Sequence, residues 1–161
     1  MTPSPAAKAS TTSSSSVSGA CASITMASFQ LELVSPEKLL LSRAVEMVVF
    51  PAAEGEMGVL AGHAPMIVAL RGGVISVREG GQVTEQLFVA GGFAEVAADR
   101  VTILAEEATP LSSLSKAEAQ QRIVEAEAAF AAAANDTPEK REAVMARVLS
   151  ARAMLEAATA A

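Results

Sequence analysis

The chain has 161 residues, room for one ordinary domain or for a small domain with an appendage. Twelve Lys and Arg against 18 Asp and Glu give a formal charge of -6 and a pI near 4.8, which excludes the clustered basic surface that nucleic-acid binding requires. A lone cysteine, Cys21, and a lone histidine, His63, exclude an internal disulfide framework and any Cys-rich or His-rich metal site.

Without Trp or Tyr, and with five Phe, the chain also lacks a base-stacking platform. No run of about 18 apolar residues is present to span a membrane. The hydrophobic fraction of 51% includes 35 Ala, so the residues able to build a core are the Val, Leu, Ile, Met and Phe between Phe29 and Leu114.

Residues 1–25 hold eight Ser, four Thr and five Ala with Lys8 as their one charge, and show no periodic apolar face. Such a segment cannot recover its ordering entropy, so it is expected to be disordered. Ser18, Gly19 and Ser23 interrupt the apolar run that a secretory signal needs. A tag, an over-extended start (Met26 follows directly) or a weak transit peptide accounts for it.

From 26 to 110 the pattern is all-β. Nine of the ten glycines lie between Gly55 and Gly92, and short apolar runs alternate with turn signals. Strands are expected at 29–33, at 40–50 with Pro51 as the stop, and at 58–61 and 66–70. Four more are expected at 74–78, 83–90, 93–97 and 101–104. Gly80-Gly81 supplies the positive φ values of a tight hairpin. Strands about ten residues apart without intervening helices point to a sandwich or barrel.

From 111 to 161 the chain turns helical. Ser115 and Glu118 have the spacing of a capping box. Ala119, Ile123, Ala126, Phe130 and Ala134 form one stripe. Asn135-Asp136 breaks the helix, Thr137-Pro138 starts a second, and Val144, Val148, Ala151 and Leu155 form its stripe. The expected unit is an antiparallel αα-hairpin. Its Ala-rich seam buries little area per contact, so it is either a moving part or a lightly docked surface hairpin.

Nothing here has the pattern of an active site. His63 sits beside Gly62 and near Pro65 with no nucleophile placed by a strained turn, which is how a structural histidine reads. The glycine-rich stretch 54–65, Glu-Gly-Glu-Met-Gly-Val-Leu-Ala-Gly-His-Ala-Pro, lacks the Lys of a phosphate loop, and Glu54 and Glu56 would repel phosphate. Gly55, Gly58, Gly62 and Pro65 read as loop-forming residues. Glu54 and Glu56, in a turn, read as solvated or as facing a partner's cation. No cofactor and no metal is expected.

That stretch resembles the signature loop of the epsilon subunit of bacterial F-type ATP synthases, equivalent to the mitochondrial delta subunit. Leu-Val-Ser-Pro-Glu at 33–37, Leu-Arg-Gly-Gly-Val at 70–74, Val-Ala-Gly-Gly-Phe-Ala-Glu-Val at 89–96 and Val-Thr-Ile-Leu-Ala-Glu at 101–106 extend the likeness in order. The resemblance implies a β-sandwich of about ten strands followed by two antiparallel helices. It also implies a non-catalytic rotor subunit that joins gamma to the ring of c subunits and transmits torque. By motif, Glu56, with Glu54 beside it, faces the c ring, and Ser35 and His63 lie on the gamma-facing side.

In some members of that family the hairpin rises to inhibit the alpha/beta catalytic head through basic side chains. Here Lys140, Arg141, Arg147 and Arg152 stand among Glu139, Glu142 and Glu156, a thin positive excess. In others an Ile/Leu-Asp-x-x-Arg-Ala motif binds ATP. Here it reads Leu-Ser-Lys-Ala-Glu-Ala at 114–119, with Ser115 for Asp and Glu118 for Arg, so no nucleotide binding is expected. The implied location is the cytoplasmic face of a bacterial plasma membrane, reached only through the c ring; the leader keeps the matrix side of the mitochondrial inner membrane open. A free-standing sandwich that binds some ligand or peptide is the reading of another class.

Overall fold

A computed structural model describes residues 27–160, so the expectations for the 1–25 leader lie outside the described residues. Ten strands come first: β1 (Phe29–Val34), β2 (Leu39–Val45), β3 (Met47–Ala52), β4 (Gly55–Leu60), β5 (Met66–Leu70), β6 (Gly73–Glu79), β7 (Gln82–Val89), β8 (Gly92–Val96), β9 (Arg100–Ala105) and β10 (Ala108–Pro110). Two helices follow, α1 (Lys116–Ala132) and α2 (Pro138–Ala160).

The strand order is β10-β7-β6-β3-β5-β8-β9-β1-β2, with β4 paired to β3 off this path. The path folds over at one weak point, where β3 meets β5 through the single pair Ala52↔Leu70. This corner divides it into two halves with the apolar core between them. Period-two alternation decides which residues enter that core. Phe29, Leu31 and Leu33 of β1 and Val101 and Ile103 of β9 come from one half; Val48, Phe50, Val59, Ile75, Val77, Leu87 and Val89 come from the other. On the open side, Arg43 of β2 reaches across to Glu79 at 3.1 Å and to Glu85 at 3.1 Å, tying the halves together.

β1 lies parallel to β9 and antiparallel to β2, so the first strand is paired on both sides, one strand in from the edge of its half. Gly80 and Gly81, with φ of 59° and 75°, make the expected β6–β7 hairpin.

Several expectations need correction. The strand read as 40–50 is two, β2 and β3, broken at Glu46, and Pro51 is buried inside β3. Pro51 sits past Val49↔Ser76, the last pair of β3 with β6, so its missing N–H breaks no pair on that side. The strand read as 58–61 begins at Gly55. β10 carries no apolar alternation of its own and was not legible from the residues.

Ser115 does occupy the N-cap position, but its side chain makes no capping bond, and Glu118 pairs with Arg122 at 3.0 Å. The capping box therefore does not form. In the α1 stripe Ala119 is buried and Ile123, Ala126 and Phe130 are half-buried, whereas Ala134 is exposed. A single 3-10 turn at Ala133–Asn135 rotates the face by one residue and buries Ala133 instead. In α2, Val148 and Ala151 are buried as expected, and so are Met154, Ala157 and Ala158.

Those extra residues face the sandwich. Met154 and Ala157 of α2 and Ala119 of α1 pack on Phe88 of β7, with Val74 and Ala90 at the margin. The hairpin thus covers the outer face of the β6–β7 region. At Gly72, a Cβ would lie 2.6 Å from the Ser150 Cα, so α2 rests directly on backbone there.

Candidate functional site

Among the described residues, the half of the sandwich formed by β5, β8, β9, β1 and β2 carries no helix on its outer face. Register sets what that face displays. Ala69 of β5 pairs with Phe93 of β8, Phe93 with Leu104 of β9, Leu104 with Val34 of β1, and Val34 with Leu39 of β2. This is one apolar row across five strands, on the side where alternation would place polar residues. Phe93 is 58% exposed, Leu39 57% and Leu104 52%, and Ile67, 75% exposed, lies on the same outer face of β5. The next row begins with Ile67 and is polar beyond it: Ile67, Glu95, Thr102, Glu32 and Ser42 are partners in turn. An apolar row this open on a solvated sheet is the mark of an interaction surface.

Half of the 54–65 stretch is strand, β4 starting three residues before the expected 58–61. Ala53 and Glu54 form the turn between β3 and β4 at one end of the sandwich, and Gly55 opens β4 opposite Ala52. Glu56 stands one residue into β4, exposed and opposite Pro51, rather than in the turn. Gly58 is opposite Val49 in mid-strand. Gly62, His63 and Pro65 lie in the β4–β5 connection at the far end, about 20 Å away at the rise of a β-strand. There the Gly62 N–H donates to the Ala98 carbonyl at 2.7 Å. His63 Nδ1 donates to the Ala64 carbonyl at 2.9 Å, and no nucleophile or carboxylate is bonded to the ring among the described residues. Ser35 sits in the β1–β2 turn, its hydroxyl donating to the Lys38 carbonyl at 3.3 Å. It adjoins Val34 and shares the end of the sandwich with Glu54. Ser35 and His63 are therefore at opposite ends.

The four basic residues of α2 are not equivalent. Arg152 pairs with Glu127 of α1 at 2.8 Å and Lys140 lies 3.7 Å from Asp136. Arg141 and Arg147 make no ion pair among the described residues. No group of three His, Cys, Asp or Glu able to hold a metal occurs among the described residues. No described helix is long and apolar enough to cross a membrane.

Residues 28–111 match the model of the ATP synthase delta/epsilon chain β-sandwich domain. The ATP synthase epsilon chain of Granulibacter bethesdensis is 55% identical over 133 residues, covering 83% of this chain and 98% of that one. The chain belongs to the ATP synthase delta/epsilon family. A second epsilon chain, from Gluconacetobacter diazotrophicus, is 46% identical with 83% of this chain and 94% of that one covered. Among solved structures, a chain of the Euglena gracilis mitochondrial ATP synthase, a complex described as OSCP/F1/c-ring, aligns with a TM-score of 0.65 and 28% identity, covering 82% of this chain and 81% of that one. A chain from the Tetrahymena thermophila central stalk and c-ring shares the fold at TM-score 0.58 and 14% identity, over 81% of this chain and 96% of that one. The molecule is thus an epsilon-type, non-catalytic subunit of ATP synthase, and the ten-strand sandwich with two packed C-terminal helices is its family's architecture.

The apolar row is what the residue reading missed in this epsilon-family chain. Its signal is present as parity: Phe93 shares a phase with Glu95, and Leu104 with Thr102, so both apolar residues fall on the polar side of their strands.

Proposed function

We propose that this subunit works as a rotor part of an F-type ATP synthase, its bare sheet face seated on gamma and its Glu54–Glu56 end turned toward the c ring. The observation that carries the reading is the five-strand apolar row, which needs a partner of matching shape and lies opposite the face already covered by the helices. Ser35 adjoins that row, which supports its assignment to the gamma side. His63, at the other end, is assigned to the same side, so gamma is taken to run along the length of the sandwich. Torque passes through this grip as a load on packed side chains, with no bond made or broken in this chain.

Glu56, exposed on a strand rather than on a loop tip, has a fixed backbone from which to meet a cation of the c ring. Glu56→Arg is expected to lower proton-driven ATP synthesis in reconstituted vesicles. Its melting midpoint should shift by less than about 4 °C, as for a surface change below about 0.5 kcal/mol. Unchanged synthesis would remove Glu56 from the c-ring contact.

The hairpin is assigned a regulatory use against the alpha/beta head, reached through Arg141 and Arg147, the two basic residues of α2 not held in ion pairs among the described residues. Nucleotide binding is not assigned to it: Glu118, at the position of the family's cation, is engaged with Arg122. The subunit is placed on the cytoplasmic face of a bacterial inner membrane, held there through the complex, a reading supported by the bacterial relatives.

A further inference from the structure

The helical hairpin touches the sandwich through little apolar surface. Phe88 is the one large side chain at the centre of that contact, and Ala119, Met154 and Ala157 are its helical partners. The chain leading into α1 adds Leu111 and Leu114, half-buried against the same cluster, but no polar hold, since neither Pro110 nor Ser115 makes a side-chain cap. Against this sparse contact one polar link stands out. Of the ion pairs among the described residues, Arg122–Glu107 is the one that joins helix to sandwich; the others lie within the sandwich or within the hairpin.

Its geometry is that of a fork. Arg122 Nη1 and Nη2 each donate to one carboxylate oxygen of Glu107 at 2.8 Å. Glu118, one turn earlier on α1, accepts from Nη2 at 3.0 Å and orients the guanidinium from its own helix. Glu107 is mounted firmly in the β9–β10 connection, where its carbonyl accepts from the Ala90 N–H at 3.0 Å. The two hydrogen bonds from Arg122 hold the Glu107 carboxyl below its usual range, burial opposing them, and raise the guanidinium's own affinity for its proton.

We propose that Arg122 is a detachable catch that holds the hairpin on the sandwich, so that losing its bond to Glu107 frees both helices as a unit. The same guanidinium serves two carboxylates, and this is what makes it a catch and not only a brace. When Glu107 lets go, Arg122 keeps Glu118 as a partner inside α1, so the helix stays satisfied and intact in the released state. Release uncovers Phe88, which is 2% exposed when the hairpin is docked. Both charged groups are about two-fifths exposed, so the catch is open to screening by salt. The proposal concerns the isolated subunit and does not depend on which partner covers the bare face.

The test uses the full chain with Cys21→Ser and nitroxide labels on Val83→Cys of β7 and Met145→Cys of α2, both exposed and outside the catch. Pulsed dipolar spectroscopy should give one narrow distance for the parent chain. Glu107→Gln should add a longer, broad population, lowering the docked-to-released ratio at least tenfold, with helix content by circular dichroism unchanged. Arg122→Lys should fall between, because an ammonium cannot make the fork. Glu107→Arg with Arg122→Glu should restore the narrow distance, one cation again facing two carboxylates. Raising NaCl to 0.5 M should release the parent chain in part and leave the Glu107→Gln distribution unmoved. A narrow distance retained in Glu107→Gln would overturn the proposal. So would equal release by Arg152→Gln, which breaks an ion pair within the hairpin only.

Discussion

Gly92→Ala is expected to abolish the folded sandwich, whereas Gly80→Ala should leave it standing. Gly92 opens β8 with φ of +133°, a region L side chains rarely enter, and a Cβ there would sit 2.0 Å from the Leu104 carbonyl oxygen and 3.0 Å from the Ala105 Cα. Neither atom can move aside without breaking the β8–β9 ladder, in which Gly92 is the partner of Ala105 and Phe93 of Leu104. Strain and overlap together should cost at least about 4 kcal/mol. That is most of the stability of a small domain, about 5–15 kcal/mol. Gly80 is also left-handed, at +59°, but nothing lies within 4 Å of its Cβ position. Alanine there should cost about 1–2 kcal/mol, the backbone term alone. Urea unfolding of the two variants separates the cases, and equal midpoints would contradict this account of β8.

Phe93→Asp should cost assembly far more than it costs folding. Phe93 is 58% exposed, so the fold gains little from its ring, and the penalty in the isolated subunit should stay within the roughly 1 kcal/mol span of strand preferences. At the centre of a partner contact, an aromatic anchor is worth about 2–4 kcal/mol on truncation, or roughly 30- to 1000-fold in affinity. An added carboxylate with no cation facing it deepens the loss. Val83→Asp is the control: Val83 is 46% exposed but lies on β7, away from the row, and should leave gamma binding within a factor of about two, the effect of a near-neutral surface change. Binding of each purified variant to gamma, measured alongside its melting midpoint, reads both sides of the comparison.

The sequence exposed the fold's repeat and its punctuation more fully than its surfaces. Alternation in Phe29–Val34, the Gly80-Gly81 turn and the Thr137-Pro138 helix start are local signals, and the structure places each element there. Pro51 misled because proline's effect depends on which neighbour strand is still paired, a fact about β6 and β5 that β3 does not carry. Glu118 misled because a capping box and an i,i+4 ion pair compete for one carboxylate, and Arg122, itself drawn toward Glu107, wins it. Glu56 was legible as an exposed carboxylate but not as a strand residue. The apolar row was hidden for a different reason: Ala69, Phe93, Leu104, Val34 and Leu39 are far apart in sequence and meet only through four registers, one of them a parallel pairing. Met154 and Ala157 likewise look like extra seam residues until the sandwich is set beneath them.

Photo-crosslinking in the assembled enzyme tests the placement of this subunit most directly. With benzoylphenylalanine in place of Phe93, irradiation of the intact ATP synthase should join this chain to gamma, and the same residue at Val83 should not. A Phe93 adduct with another subunit, or none while assembly is intact, would show that the bare face is not where gamma is gripped.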